Sequence, residues 1–483
     1  MNIINIGKRR EVFWDDFLVE KEETTAILKQ HGLIEKEPVF VADKPWEGSG
    51  TDFHCFVRED KNFIRMYYCA VNLCDLDGTF NYSGVSIAYA ESHDNGKTFI
   101  RPELDSCEYK GYKKNNIILY YEGSKYDGIS VFKDENPNCK KGEKYKLITR
   151  DGTKYTKEHK FPLKLFVSED GIHFNEKYTI MKDDYFDSQN IVFWDKNKKE
   201  YVLFYRTVDD SDGGFFRGIK TTTSKDFLTW SEPKDLIYQD DNKIELYTNV
   251  VSPYVRAPHM YIGFPSRYIE RAKKWTDNYD YLPNVTNRKN RTKQQSRYGL
   301  VLTDCVLMTS RDGVNFNRWQ EAFIRPGIEN DFNWVYGDAY PTWSNEMLIM
   351  PSDSKDNAPD EINIYMHAYH WQKPTELRRY VIRLDGFISY NATYKPCKIL
   401  TKPFIFKGEQ LTINFSTSAI GYIRIKILDE NKDYIEGYES YEIFGDSVDR
   451  KITFGNKKIS KLAGKPIRML IEMSDADLYS FKF

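Results

Sequence analysis

The sequence predicts an all-β chain: a five-bladed β-propeller over residues 1–390 followed by a β-sandwich over residues 391–483. Three observations predict it: a turn pattern that recurs four times, an apolar strand before each copy, and a scarcity of helix-period patterning. The copies are Ser92-His93-Asp94-Asn95-Gly96-Lys97-Thr98-Phe99, Ser168-Glu169-Asp170-Gly171-Ile172-His173-Phe174, Ser224-Lys225-Asp226-Phe227-Leu228-Thr229-Trp230 and Ser310-Arg311-Asp312-Gly313-Val314-Asn315-Phe316. Each reads Ser-x-Asp, then a glycine-compatible turn, then an aromatic. In such a turn the carboxylate accepts backbone N–H groups, Gly supplies positive φ and the aromatic plugs back between strands. The strands leading into the turns are 85–90, 163–167, 217–222 and 305–308. A chain with 35 Tyr, 30 Phe and 9 Trp suits pleated, half-buried surfaces.

A second strand pair upstream of each turn gives four strands per blade. Blade one has a hairpin of 53–58 and 64–70 around 59–62. Blade two pairs 129–132 with 144–150, and blade three pairs 190–194 with 201–206 across the turn 195–198. Blade four has 250–255 and 259–265. A fifth unit without the turn pattern follows as 339–343, 347–351, 362–368 and 378–384. Five such units close on themselves and leave few free edges. Trp14-Asp15-Asp16 precedes blade one and is expected in a strand closing blade five. Residues 268–297 are polar and read as a long excursion from blade four, with Arg288-Lys289-Asn290-Arg291-Thr292-Lys293 as a solvated loop. From about Tyr394, period-2 strands at 411–415, 422–428, 451–454, 467–472 and 479–483 predict the sandwich, with Asp429-Glu430-Asn431-Lys432-Asp433 as a turn.

With 70 basic and 72 acidic residues, the net charge of −2 gives no global field toward nucleic acid or an anionic membrane. No run approaches the ~18 apolar residues of a membrane span, and Met1 to Arg10 lacks the apolar core of a signal peptide. The seven cysteines are scattered without a CxxC pair. The expectation is a soluble, cytoplasmic protein with free thiols, no metal, no cofactor and no predicted oligomeric state.

In a propeller the first strand of each blade lines the axis, and ligands bind where those strands open at one mouth. The residues leading into these strands include a carboxylate in every blade: Glu47 and Asp52, then Asp127, Asp187, Glu245 and Asp338. Carboxylates converging on an axis repel unless protonated, paired or matched to a cationic transition state. Glycoside cleavage uses such a set: one carboxyl with raised pKa protonates the leaving oxygen, and another attacks the anomeric carbon or activates water. Glu245 is assigned as the acid, Asp187 as nucleophile, base or stabiliser, and Glu47 as the third catalytic carboxylate. Contacts to a carbohydrate substrate are expected from Trp46, Asp52, His54, Gln189, Asn190, Tyr247, Asn249, Arg267, Trp334 and Asp338.

The four turns resemble the Asp-box of sialidases and related propellers, which implies structural aspartates at blade edges. Sialidases themselves have six blades and a Phe-Arg-Ile-Pro motif, and neither is found here. Five blades plus a C-terminal β-sandwich resemble the invertase and inulinase families, and the arabinanase and β-xylosidase families share the propeller. Trp14-Asp15-Asp16-Phe17, Trp46-Glu47-Gly48, Phe186-Asp187-Ser188-Gln189-Asn190, Leu246-Tyr247-Thr248-Asn249, Gly263-Phe264-Pro265 and Asp475-Ala476-Asp477-Leu478-Tyr479 look like a group of bacterial relatives of those hydrolases. The resemblance implies glycoside hydrolysis. The Trp-Met-Asn-Asp-Pro, Arg-Asp-Pro and Glu-Cys motifs of invertase-like enzymes are absent in that form, which argues against invertase activity itself. Two alternatives stand beside hydrolysis: an inverting glycoside phosphorylase, for which Arg206, Arg217 and Arg267 must converge on the mouth, and a non-catalytic carbohydrate-binding propeller.

Overall fold

Successive residues of a strand point to opposite faces, and here both faces are apolar. In Ile191–Asp195, Ile191 and Phe193 join a buried cluster with Val251, Tyr261 and Met308, while Val192 joins another with Phe132, Leu163 and Leu165. Glu200–Asp209 divides the same way, Val202 and Phe204 to one side, Tyr201, Leu203 and Tyr205 to the other. Each such sheet is covered on both sides by other sheets, which is why its strands read as near-continuous apolar runs.

The computed structural model describes residues 3–483 except 122, 124, 153–159, 210–213, 241, 272–277, 343–346, 355–356 and 372–373. The chain divides into two compact units, one of Ile34–Met350 and Asn363–Val381, the other of Met1–Leu33, Pro351–Ile362 and Ile382–Phe483.

The first unit is a five-bladed propeller. Blade one is Gly50–Arg58, Ile64–Cys74, Phe80–Ser92 and Ile117–Leu119. Blade two is Tyr126–Lys133, Tyr145–Asp151, Leu163–Ser168 and Asn175–Met181. Blade three is Ile191–Asp195, Glu200–Asp209, Phe216–Ser224 and Lys234–Asp235. Blade four is Ser252–Tyr254, Ala257–Gly263, Met308–Ser310 and Asn315–Arg318, with Ile237–Tyr238 added in parallel at its edge. In blade five, Pro341–Thr342 and Leu348–Met350 both pair with Glu361–Ala368, which leads to Glu376–Arg383. Trp343, the expected end of its first strand, lies outside the described residues.

The strand that closes blade five is Ile34–Val41, paired with Glu376–Arg383, and not the Trp14 segment. Glu35, Lys36, Glu37 and Pro38 give it the composition of an edge strand, which hides its periodicity. The first 33 residues, expected in the propeller, instead pair within the second unit. Ile4–Gly7 runs parallel to Phe404–Phe406, Glu11–Val12 pairs with Arg468–Lys482, and Ile27–Gln30 pairs with Ile388–Ala392. Trp14 is buried there, its indole N–H donating to the Asp385 carbonyl.

Two strands dominate this second unit. Thr412–Leu428 and Arg468–Lys482 each merge two expected strands and pair along their length, with a register break between Thr417 and Tyr422. They belong to one eight-stranded sheet, beside the separate parallel pair Ile4–Gly7 and Phe404–Phe406, and residues on both sides of the break, Ile413 and Phe415, Ile423 and Ile425, enter the same core. The turn at Asp429 forms as expected, its carboxylate accepting the N–H groups of Asn431 and Asp433 at 2.9 Å.

The four recurring turns share one set of bonds. Ser92, Ser168, Ser224 and Ser310 donate to Asp94, Asp170, Asp226 and Asp312 at 2.8 to 3.1 Å. Two successive backbone N–H groups of each turn reach the same carboxylate at 2.8 to 3.0 Å.

The blade-four excursion differs from a solvated loop. Val285–Gln294 is an α-helix in which Arg288 and Arg291 are buried. Arg288 donates to the carbonyls of Pro283, Gly299 and Trp334, and Arg291 to that of Trp371. Buried charges survive where hydrogen bonds replace water, a circumstance that a run of basic residues does not announce. Among the described residues no helix is long and apolar enough to cross a membrane. None of the seven cysteines is joined in a disulfide.

Candidate functional site

Near the start of each blade's inner strand one residue adopts the left-handed backbone region: Phe53, Gly128, Phe186, Val250 and Ala339, with φ between 43° and 64°. For a β-branched residue such as Val250 that conformation is strained, and strain of this kind collects at sites. At Gly128 a Cβ would collide with the Ser188 carbonyl oxygen, so only glycine fits. The kinks re-aim the neighbouring side chains. Asp52 accepts the Phe53 N–H at 2.9 Å and Asp127 accepts the Gly128 N–H at 2.7 Å.

Asp52, Asp127 and Asp187, from blades one to three, line a cavity of about 490 Å³ with Arg150, Arg217, Tyr247, Tyr336 and Trp371. A second hollow of about 850 Å³ carries Glu245. Phe161, Asp187, Arg217, Tyr268, Gln295 and Arg297 belong to both, so the two form one cleft.

Two arginines organise its carboxylates. Arg150 bridges Asp127 at 2.7 Å and Asp187 at 3.3 Å. Arg217 holds Glu245 at 2.6 Å and lies 3.9 Å from the centre of the Tyr268 ring. Asp187 is the more open of the carboxylates on Arg150, with 38% of its side chain exposed. Beneath them Arg206 is buried, with Nη1 donating to the Tyr247 carbonyl at 3.3 Å and Nε and Nη2 without a partner among the described residues. Burial lowers the pKa of its guanidinium, against the pull of Asp187. Asp52 has no arginine or lysine paired with it among the described residues. Burial, reinforced by the charge of Asp127, holds its carboxyl well above the usual carboxylate range.

The wall is aromatic. Tyr247 stacks on Tyr268 at 5.7 Å and its hydroxyl bonds that of Tyr336 at 2.5 Å. Tyr336 in turn packs on Trp371 and on Tyr298, just after the excursion. Flat rings beside paired carboxylates and arginines suit a ligand with apolar C–H faces and many hydroxyls.

Of the residues expected at the site, Asp52, Asp187, Glu245 and Tyr247 line the cleft. Glu47 does not. It is fully buried, capped by the Lys44 N–H and held by Tyr68 and Arg101, a structural set of bonds with no room for catalysis. Trp46 donates to Asn116, and Trp334 to the Gly327 carbonyl. Asn190 and Asn249 tie backbone segments together, Asn190 through Ser188 and Asn249 through Gln189. Gln189 is itself buried. His54 is buried beside Thr51 and stacked on Tyr68. Arg267 pairs with Asp304, opposite it where Ser266–Glu270 runs antiparallel to Val301–Cys305. Asp338 accepts the Val335 N–H at 2.9 Å, and burial pushes its carboxyl up to about 7. None of these nine lines either hollow.

Arg150 was legible in principle, because antiparallel pairing of blade two's first two strands sets it opposite Asp127. The cleft residues Tyr268 and Arg297 come from the excursion and Tyr298 from just after it, a stretch whose composition gave no such signal. A third group, Asp52 with His367 and His370, brings one ligand atom from each within 4.8 Å of the others. The His-x-x-His spacing at 367–370 was its sequence signal.

No family model and no curated protein matches the chain. Solved structures resemble it at low identity. An N-acetylgalactosamine deacetylase from F. plautii, in complex with blood group B trisaccharide, is 12% identical over 73% of this chain and 94% of its own, with a TM-score of 0.44. An α-L-arabinanase from Penicillium chrysogenum, complexed with arabinobiose, is 10% identical over 73% and 98%, with a TM-score of 0.39. An exo-β-1,3-galactanase from Phanerochaete chrysosporium is 7% identical over 94% and 100%, also at 0.39. Likenesses this distant carry no weight for activity, which has to be read from the chain's own residues.

Proposed function

We propose that the protein is a glycosidase that cleaves its substrate in the cleft at the propeller mouth. The observation that supports this reading is the meeting of Asp127, Asp187 and Glu245, from three successive blades, with Arg150 and Arg217 in one aromatic-walled cleft. Asp187, open to both hollows, is the carboxylate that attacks the anomeric carbon or activates water. Glu245, on the next blade, is the acid for the leaving oxygen. Arg150 fixes Asp187 in place, and Tyr247, Tyr268 and Tyr336 offer faces to the sugar rings.

Phosphorolysis is the second reading, favoured by Arg297 and Lys125, two further cations lining the inner cavity. Arg267 takes no part in it, since Asp304 holds that side chain elsewhere. A panel of aryl glycosides and oligosaccharides, assayed with and without inorganic phosphate, tests both. Turnover independent of phosphate and abolished in Asp187→Asn and Glu245→Gln supports hydrolysis, and strict phosphate dependence selects phosphorolysis. Wild-type turnover in either variant removes the carboxylate mechanism altogether.

A further inference from the structure

Three buried groups meet at the floor of the cleft without satisfying one another. Asp52 comes from the inner strand of blade one, His367 from the strand Glu361–Ala368 of blade five, and His370 from the turn just after it. His367 and His370 are 4% and 2% exposed. The His367 Nδ1 lies 3.8 Å from one oxygen of Asp52, and the His370 Nε2 lies 3.8 Å from the other. Both separations are too long for hydrogen bonds. Nδ1 of His367 and both ring nitrogens of His370 have no partner among the described residues.

The surroundings fix the orientation of both imidazoles. His367 Nε2 is 2.8 Å from the Gly337 carbonyl. A carbonyl only accepts, so Nε2 carries the proton and the Nδ1 lone pair is left facing Asp52. This is the outer-shell bond that orients metal-binding histidines. The His370 ring is clamped between His367 and Trp371, with ring centres 4.5 and 4.0 Å away. Two glycines cradle it: a Cβ on Gly337 would come 2.7 Å from its Nδ1, and one on Gly50 would come 2.8 Å from its Cδ2. Across a tetrahedral zinc ion, ligand oxygen and nitrogen atoms stand about 3.4 Å apart, so each 3.8 Å separation from Asp52 needs to close by only a few tenths of an ångström, and one ligand atom from each of the three residues already lies within 4.8 Å of the others.

We propose that Asp52, His367 and His370 bind a divalent transition-metal ion, zinc by the character of its donors, at the floor of the cleft. Two imidazoles and one carboxylate suit zinc-class ions rather than calcium or magnesium, which take oxygen ligands. Three protein ligands leave coordination positions for water or a substrate oxygen, and Asp52 lines the cavity into which these positions open. The inference goes beyond the glycosidase reading and stands or falls without it, because binding is measured in the absence of substrate.

The full-length protein, stripped with chelator and checked by circular dichroism, is titrated calorimetrically with Zn²⁺ and spectroscopically with Co²⁺. The expected result is one ion per chain with ligand-field bands of a low-symmetry nitrogen and oxygen site, and affinity reduced about 100-fold or more in Asp52→Asn and in His370→Gln. His93→Gln, on the exposed surface, binds like wild type. A folded wild-type protein that takes up neither ion overturns the proposal, even if both variants fail to fold. Equal affinity in Asp52→Asn overturns it as well.

Discussion

The propeller carries one set of carboxylates at its blade edges and another at its mouth, and the two sit in opposite environments. At the edges, Asp94, Asp170, Asp226 and Asp312 are satisfied by their own turns. Burial works against ionisation at all four and is the largest single cause at three, yet hydrogen bonds from the turn outweigh it. At Asp226 the backbone N–H groups dominate outright, and all four carboxyls fall below the usual range. At the mouth, Asp127, Asp187 and Glu245 depend on arginines from other strands, whereas Asp52 has no such cation among the described residues, and burial together with the charge of Asp127 raises its pKa. Residue type and repetition are shared. What differs is the number of donors the local backbone supplies. A carboxylate completed by its own turn serves the fold, whereas one left for a distant partner to complete is available to a ligand.

The largest effect that sharpens this contrast should come from Arg150→Met. It leaves Asp127 and Asp187 facing each other without their shared cation, and urea unfolding should show a loss of roughly 2–4 kcal/mol, allowing for partial exposure of the group. Arg150→Lys should recover part of it. If Arg150→Met unfolds like wild type, the mouth carboxylates are not coupled as described.

Asp170→Ala should cost less, about 1–2 kcal/mol, since it strips hydrogen bonds from one exposed turn. Thermal unfolding is the measure, and a drop in glycoside turnover larger than the loss of folded protein would break the distinction between the two sets.

A pH slope of opposite sign separates the edge aspartates from Asp338, a buried carboxyl before the first strand of blade five. Asp338 stays protonated in the fold up to about 7, whereas its ordinary value is 3.8. Unfolding therefore releases a proton between those values. Its stabilising contribution is complete below about pH 4 and is lost as pH rises through 7. The edge aspartates contribute the reverse: stability present above the usual carboxylate range and lost as pH falls through their lowered values. Asp338→Asn should flatten the decline in urea midpoint between about pH 4 and pH 7, and an unchanged slope would contradict the assignment.

Four blades were legible because apolar strands lead into turns that repeat Ser-x-Asp. The closing strand was not, because Pro38 and its charged neighbours interrupt the apolar run in Ile34–Val41. The N-terminal residues were misplaced for a related reason: pairing partners such as Ile388–Ala392 lie more than 350 residues away, beyond any local signal. At the site, Asp187 and Glu245 could be read from their position before an inner strand, but the same rule wrongly admitted Glu47 and Asp338. Position alone does not reveal that Arg101 seals Glu47 or that the Val335 turn takes Asp338. The helix Val285–Gln294 was hidden by its basic composition, since burial of Arg288 and Arg291 depends on carbonyls elsewhere in the chain.

The most direct test compares kcat for Asp187→Asn and Asp170→Asn on whichever glycoside the wild-type protein turns over. The account predicts a fall of about 10³-fold for Asp187→Asn, in the range expected for loss of an acting acid–base or nucleophilic carboxylate, with Asp170→Asn within twofold of wild type. Comparable rates in the two variants would mean that the cleft carboxylates are no more catalytic than those of the blade edges.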